Sequence, residues 1–194
     1  MSDIKLFTFR GVPVTLSLWF FLLLPMVHFQ FDVFISAFIA ILIHEMAHTF
    51  VAQHLGYGTY GINIGLFAGQ AQVDSNMHTR DNIKVVAAGP LSNLILSIIG
   101  LSLGLETFFT VNFFLFIFNI LPIYPMDGGH ICKDLLMLNM RNRRKAFELS
   151  MGISFVTSVF LFIFGILSGS SGIMISVFAC IFGYYALKEL GYIK

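Results

Sequence analysis

Ile41-Leu42-Ile43-His44-Glu45-Met46-Ala47-His48 is the stretch from which the rest of the chain is read. It contains a His-Glu-x-x-His motif. On an α-helix His44 and His48 stand one turn apart on the same face. Two imidazoles so placed can share one zinc ion, and Glu45 beside them can serve as general base toward a water. The flanks are unusual for such a motif. Phe34 to Ile43 is almost entirely apolar, and Phe50, Val51, Ala52 and Leu55 continue beyond it. In a soluble helix five residues with three fixed positions carry little weight. In a lipid-embedded helix two histidines and a glutamate each cost a few kcal/mol to insert, so a function is their default explanation.

Composition agrees with the lipid setting. Of 194 residues, 57% are hydrophobic and 11% charged, and mean hydropathy is +0.87. A soluble domain carries about 25% charge. The sequence therefore predicts an all-α polytopic membrane protein forming one domain over 1–194. Spans of about 20 residues leave room for six helices, at about 13–27, 33–55, 82–103, 108–121, 149–167 and 173–190. Residues 1–12 read as a short polar-basic lead, and the first helix as uncleaved. Gly56 to Asp74 carries five glycines and an alternation through Ile62, Ile64 and Leu66. That predicts a small β-hairpin between helices 2 and 3, with its turn near Ala68-Gly69. A short amphipathic helix is expected over 131–138. Cys132 and Cys180 make no redox or metal pattern. Net charge is +1, so no nucleic-acid partner is expected.

The eleven Lys and Arg residues set an orientation. Six helices put the N-terminus, the loops after helices 2 and 4 and the C-terminus on one side. All eleven fall there, from Lys5 and Arg10 to Lys188 and Lys194. The opposite loops hold Asp32 and Glu106. The positive-inside rule then places both termini, and the end of helix 2 that carries His44 and His48, toward the cytoplasm, the host being the cell membrane.

A catalytic zinc usually takes three protein ligands and a water. On the side of the motif the candidates for the third are His54, His78, Asp127, His130 and Asp134. Asp127 has the most distinctive context. Pro122 and Pro125 break a hydrophobic helix before it, and Gly128 and Gly129 follow. Irregular backbone at membrane depth occurs where protein or a water-filled cavity covers it. His54 is the rival, because His44-x3-His48-x5-His54 has the histidine spacing of the metzincin zinc proteases. Val51 stands where their glycine turns the chain out of the helix. If the helix continues, His54 lies about 240° round the axis and about 9 Å along it from His48, aimed elsewhere.

His44-Glu45-x-x-His48, Ala88-Gly89-Pro90-x-x-Asn93 and Asn119-x-x-Pro122-x-x-Pro125-x-Asp127-Gly128 together resemble the site-2 protease family of intramembrane zinc metalloproteases. The resemblance extends over nearly the whole chain. It implies one Zn2+ per chain held by His44, His48 and Asp127, with Glu45 as base. It implies that Asn119, Pro122, Pro125 and Gly128 shape the site or engage a membrane-protein substrate. Some family members carry a PDZ or regulatory domain. This sequence reads as a compact member without a PDZ domain or as a piece ending after the membrane core, and a regulator cannot be identified from it. The hairpin has two open readings: a strand edge that pairs with extended substrate, or a plug at the cytoplasmic mouth. Two other functions compete: a membrane metal transporter or sensor, and a catalytically idle zinc-binding scaffold. A transporter needs ionisable ligands staged across the bilayer, and the outer helix halves lack such a series.

Overall fold

The computed structural model describes residues 3–17, 31–65, 69–74 and 76–192. They fall into two compact units, 1–117 and 118–194.

The first unit starts with strands where a lead and a helix were expected. β1 (Ile4–Phe9) and β2 (Val12–Leu16) form an antiparallel hairpin. Its turn is Arg10-Gly11, both at positive φ (48° and 85°), the combination that matches the twist of two-residue hairpins. Val12, Val14 and Leu16 alternate with Pro13 and Thr15, and the alternation sorts them onto a buried face. The helix expected from residue 13 is thus corrected for 13–16: local period two wins there over the hydrophobic run that follows. The remainder of that expected helix lies outside the described residues. β3 (Thr59–Ile64) and β4 (Gly69–Val73) are antiparallel. The predicted hairpin is therefore not isolated. β3 runs parallel to β2, giving one four-stranded sheet in the order β1-β2-β3-β4. Pro13 is tolerated because β3 pairs with β2 only from Val14 onward, so its missing N–H faces no partner on that side. The expected turn at Ala68 lies outside the described residues.

Helix α1 (Phe31–His54) comes between β2 and β3 in sequence. Phe34, Phe38, Ile41, Leu42 and Met46 pack on a core of Val12, Val14, Leu16, Ile62 and Ile64. α1 also buries Ala40, His44, His48 and Ala52, four residues apart in turn. α2 (Thr79–Ser102) answers with Val85, Gly89, Asn93 and Ser97, also four apart. Two such rows interlock as ridge and groove. α3 (Glu106–Ile120) is apolar, and Asn112 is its buried residue.

In the second unit α4 (Asp127–Asn139) begins at Asp127, not at residue 131. The acid and both glycines make its first turn, where a carboxylate suits the positive end of the helix dipole. α5 (Arg143–Leu167) takes Arg143, Arg144 and Lys145, expected in a loop, into its first turn behind an Asn142 cap whose side chain accepts from the Lys145 amide. α6 (Ile173–Glu189) follows a 3-10 turn, Gly169–Gly172. Here α5 and α6 approach closely: a Cβ on Gly165 would lie 2.7 Å from the Gly172 carbonyl and 2.9 Å from the Ser176 amide. Small residues serve such helix contacts in lipid.

Six α-helices are present among the described residues. Three of them, α1, α2 and α5, are long and apolar enough to cross a membrane, and α3 is a shorter apolar helix. Of the six spans expected from the sequence, these three are found among the described residues, and the first expected helix lies outside them from residue 18 on. Their outward faces are apolar, with Ile95 and Ile98 on α2 and Phe160 and Leu167 on α5 each more than half exposed. Apolar exposure on that scale suits lipid rather than water.

Candidate metal centre

α1 passes through the motif unbroken, and the consequence is local and exact in chemistry. The Nε2 atoms of His44 and His48 lie 3.1 Å apart, with the rings edge to face at 84°. Both side chains are buried, at 7% and 8% exposure. His48 Nδ1 is 2.7 Å from the Val85 carbonyl oxygen. A carbonyl only accepts, so Nδ1 carries the proton and donates. His44 Nδ1 is 2.6 Å from Asn93 Oδ1. The Asn93 amide is itself oriented: its Nδ2 donates to the Ala40 carbonyl (3.3 Å) and to Asn112 Oδ1 (3.1 Å). The Asn112 amide is oriented in turn, because its Nδ2 donates to the Phe108 carbonyl at 2.9 Å. Backbone carbonyls thus decide which end of each amide is which. Asn93 presents oxygen to His44, and His44 also carries its proton on Nδ1. Both Nε2 atoms then hold lone pairs. Two lone pairs at this distance repel unless a cation stands between them. Metal-bound histidines are typically fixed by such a bond from the other ring nitrogen.

Gly89 completes this half of the centre. A Cβ there would meet His48 Nε2 and Cε1 and lie 2.6 Å from His44 Nε2. Any larger residue would fill the space against both nitrogens. Sequence spacing leaves this contact with both imidazoles undetermined. Glu45 is buried, at 5% exposure.

The segment before Asp127 is a tight turn. Ile123 N donates to the Leu121 carbonyl (2.7 Å) and Met126 N to the Ile123 carbonyl (2.8 Å); the Tyr124–Pro125 peptide is cis. Tyr124 N donates to Ser154 Oγ at 2.8 Å, which ties the turn to α5. Gly128 and Gly129 let α4 start against this turn. A Cβ on Gly128 would strike the carbonyls of Ile120 and Leu121, and one on Gly129 would lie 2.6 Å from Tyr124 N. Pro122 and Gly128 belong to this close-packed turn, with Pro125 exposed on it and Asn119 half-buried in the last turn of α3. Burial first, and the Glu189 carboxylate second, push the Tyr124 phenol above its ordinary range. Burial likewise pushes the Cys132 thiol up, which disfavours its thiolate.

The Nε2 atoms of His44 and His48 lie close enough together to bind one metal ion, and Asp127 opens α4 in the other unit. The other candidates are placed differently. α1 stays helical to His54, and that ring is exposed and stacked on Phe50. His78 is exposed ahead of α2. The His130 ring packs on Tyr124, with centroids 5.1 Å apart. Asp134 is buried, with Lys133 Nζ at 3.7 Å. Sequence reasoning left Asn112 out entirely and gave Asn93 no role. The signal for Asn112 was present: a mid-helix amide among apolar residues at membrane depth.

The family model of peptidase family M50 matches residues 99–164. A curated protein of Methanocaldococcus jannaschii named as a zinc metalloprotease is 26% identical over 96% of this chain. The alignment spans 60% of that relative's own length. The solved structure of a site-2 protease from the same organism matches with a TM-score of 0.69 at 24% identity, covering 97% of this chain and 95% of that one. The likeness to site-2 zinc metalloproteases that the three motifs carry therefore extends to a family model, a curated relative and a fold.

Proposed function

We propose that this chain is an intramembrane zinc metalloprotease, a single membrane-embedded domain that hydrolyses a peptide bond of a membrane-spanning or membrane-associated protein near the cytoplasmic side of the bilayer. The observation that carries the reading is the pair of lone-pair nitrogens on His44 and His48 facing each other at 3.1 Å, with a carboxyl side chain, Glu45, one residue away. His44, His48 and Asp127 are the proposed ligands of one Zn2+, and their donor set, two imidazoles and a carboxylate, is one that catalytic zinc commonly takes. Bound there, zinc would polarise a scissile carbonyl and acidify a water. Glu45 takes the proton of the attacking water and passes it to the leaving nitrogen. Its burial keeps bulk water from competing for that proton. Gly89 leaves room beside the imidazoles, and Asn119, Pro122, Pro125 and Gly128 shape the turn from which Asp127 projects. A helical substrate must unwind locally, since its peptide bonds are shielded by their own turn. The orientation of the basic residues supports a cytoplasmic opening and cytoplasmic termini.

Glu45→Gln is the decisive variant. It is expected to retain zinc and to lose cleavage of a membrane substrate by 10²–10⁴-fold or more, the usual cost of removing a general base. Near-normal turnover at unchanged zinc content would reject the mechanism. Zinc binding with no cleavage by the unaltered chain would favour the idle scaffold instead.

A further inference from the structure

We propose that Asn112 is a positioning residue that determines, through Asn93, which nitrogen of His44 faces the metal. The inference rests on the reading of His44 as a ligand and adds a residue two bonds removed from it. Asn112 is the buried residue of a mostly apolar helix and is fully inaccessible. A leucine of similar size would suit that helix better on packing grounds alone. What the amide supplies is a direction. Its Nδ2 donates to the Phe108 carbonyl one turn back, so its oxygen must point at Asn93. Asn93 must then answer with its NH2, which leaves its own oxygen for His44 Nδ1.

The alternative state shows why the direction matters. A flipped Asn93 would offer NH2 to His44 Nδ1. That nitrogen would have to accept, the proton would move to Nε2, and a protonated Nε2 cannot ligate a metal. The Ala40 carbonyl, at 3.3 Å from Asn93 Nδ2, opposes the flip only weakly at that length. Asn112, at 3.1 Å and anchored itself, is the stronger constraint. The chain Phe108 carbonyl, Asn112, Asn93, His44 therefore passes a fixed polarity from the backbone of α3 to a ring on α1.

The test is zinc affinity, measured on the full purified chain by competition with a chromophoric chelator. The unaltered protein should bind one zinc; if it binds none, the metal reading itself falls, separately from this proposal. Asn112→Leu should bind zinc about 10-fold more weakly or worse, the scale of losses seen when an outer partner of a metal ligand is removed. Asn112→Asp, which keeps an oxygen toward Asn93, should stay close to the unaltered protein. In an Asn93→Asp background both side-chain ends at 93 are oxygens and a flip changes nothing. There Asn112→Leu should cause no further loss. Unaltered affinity in Asn112→Leu would overturn the proposal. So would an equal loss in both backgrounds, which is the mark of a packing effect. Should Asn112→Leu alone fail to fold, the pair Asn93→Asp and Asn93→Asp/Asn112→Leu decides: weaker zinc in the double variant refutes the relay.

Discussion

Replacing Gly89 by alanine adds one methyl group and nothing else, yet it should empty the metal centre. The added Cβ would stand 2.6 Å from His44 Nε2 and closer still to His48 Nε2. Carbon does not approach nitrogen so closely without a bond, so one or both rings must swing. Each ring is held by one bond from Nδ1, to Asn93 and to the Val85 carbonyl. Losing two such bonds, at about 0.5–1.5 kcal/mol each, removes about 1–3 kcal/mol of the orientation that favours zinc. At 1.4 kcal/mol per factor of ten, that is about 5-fold to more than 100-fold in affinity. The figure is a floor, because the methyl also intrudes where a metal at about 2.0–2.1 Å from both nitrogens must fit. Alanine meanwhile relieves the helix of a glycine, worth about 0.5–1 kcal/mol. The metal-free protein should therefore lose far less stability than the site loses zinc. The assay is zinc content and chelator competition beside the thermal midpoint of the metal-free form. A Gly89→Ala protein with one zinc at unaltered affinity would refute the placement of the nitrogens against α2.

Three further expectations are independent of that one. Asp127→Asn should lose most zinc and cleavage while His54→Ala keeps both, measured by metal analysis and substrate cleavage; the opposite result would make His54 the ligand. With Cys132 and Cys180 replaced by alanine, single cysteines at Asn76 and Asn142 should react with a membrane-impermeant reagent only from the cytoplasmic face, and one at Leu103 only from outside; the reverse pattern would invert the orientation. Asp74 accepts from Tyr60 Oη at 2.6 Å and from the Gly58 amide at 2.7 Å. Those bonds, Tyr60 first, hold its carboxyl below the ordinary range, and Asp74 holds the Tyr60 phenol above its own. The lowered acid contributes its stability above its unfolded pKa and loses it as pH falls through the folded value; the raised phenol contributes below its unfolded pKa and loses it as pH rises through the folded value. The contact is thus intact from about pH 4 to about pH 10, and Tyr60→Phe should raise the Asp74 carboxyl midpoint in an NMR titration.

Much of the centre was legible because its chemistry depends on local spacing. His44 and His48 face one way on any helix, and Val51 and its apolar neighbours keep α1 helical to His54, as the sequence predicts. The N-terminal strands were hidden because Val12, Val14 and Leu16 show period two over only five residues, beside a long apolar run that reads as helix. A partner strand paired 48 residues on, β3, is what makes that short alternation stable. The start of α4 was missed for a related reason. Gly128 and Gly129 discourage helix by propensity, but here their missing side chains are what let the helix begin against the preceding turn. Asn93 and Asn112 needed three helices in register before their amides acquired a direction.

The parallel pairing of β2 with β3 has a consequence for depth. α1 lies between these strands in sequence, and its apolar face packs on the sheet they form. The helix is clasped at both ends of its own segment. Membrane helices ordinarily find their height by matching apolar length to bilayer thickness, and they tilt or slide when that thickness changes. For α1 to slide, it would have to drag Phe38, Ile41, Leu42 and Met46 across Val14 and Ile62, or shift the ladder of Val14 with Ile62 and Leu16 with Ile64. A ladder moves only in whole residue steps, and one step would turn buried side chains outward. His44 therefore keeps its level relative to the β-sheet, and the two change depth together.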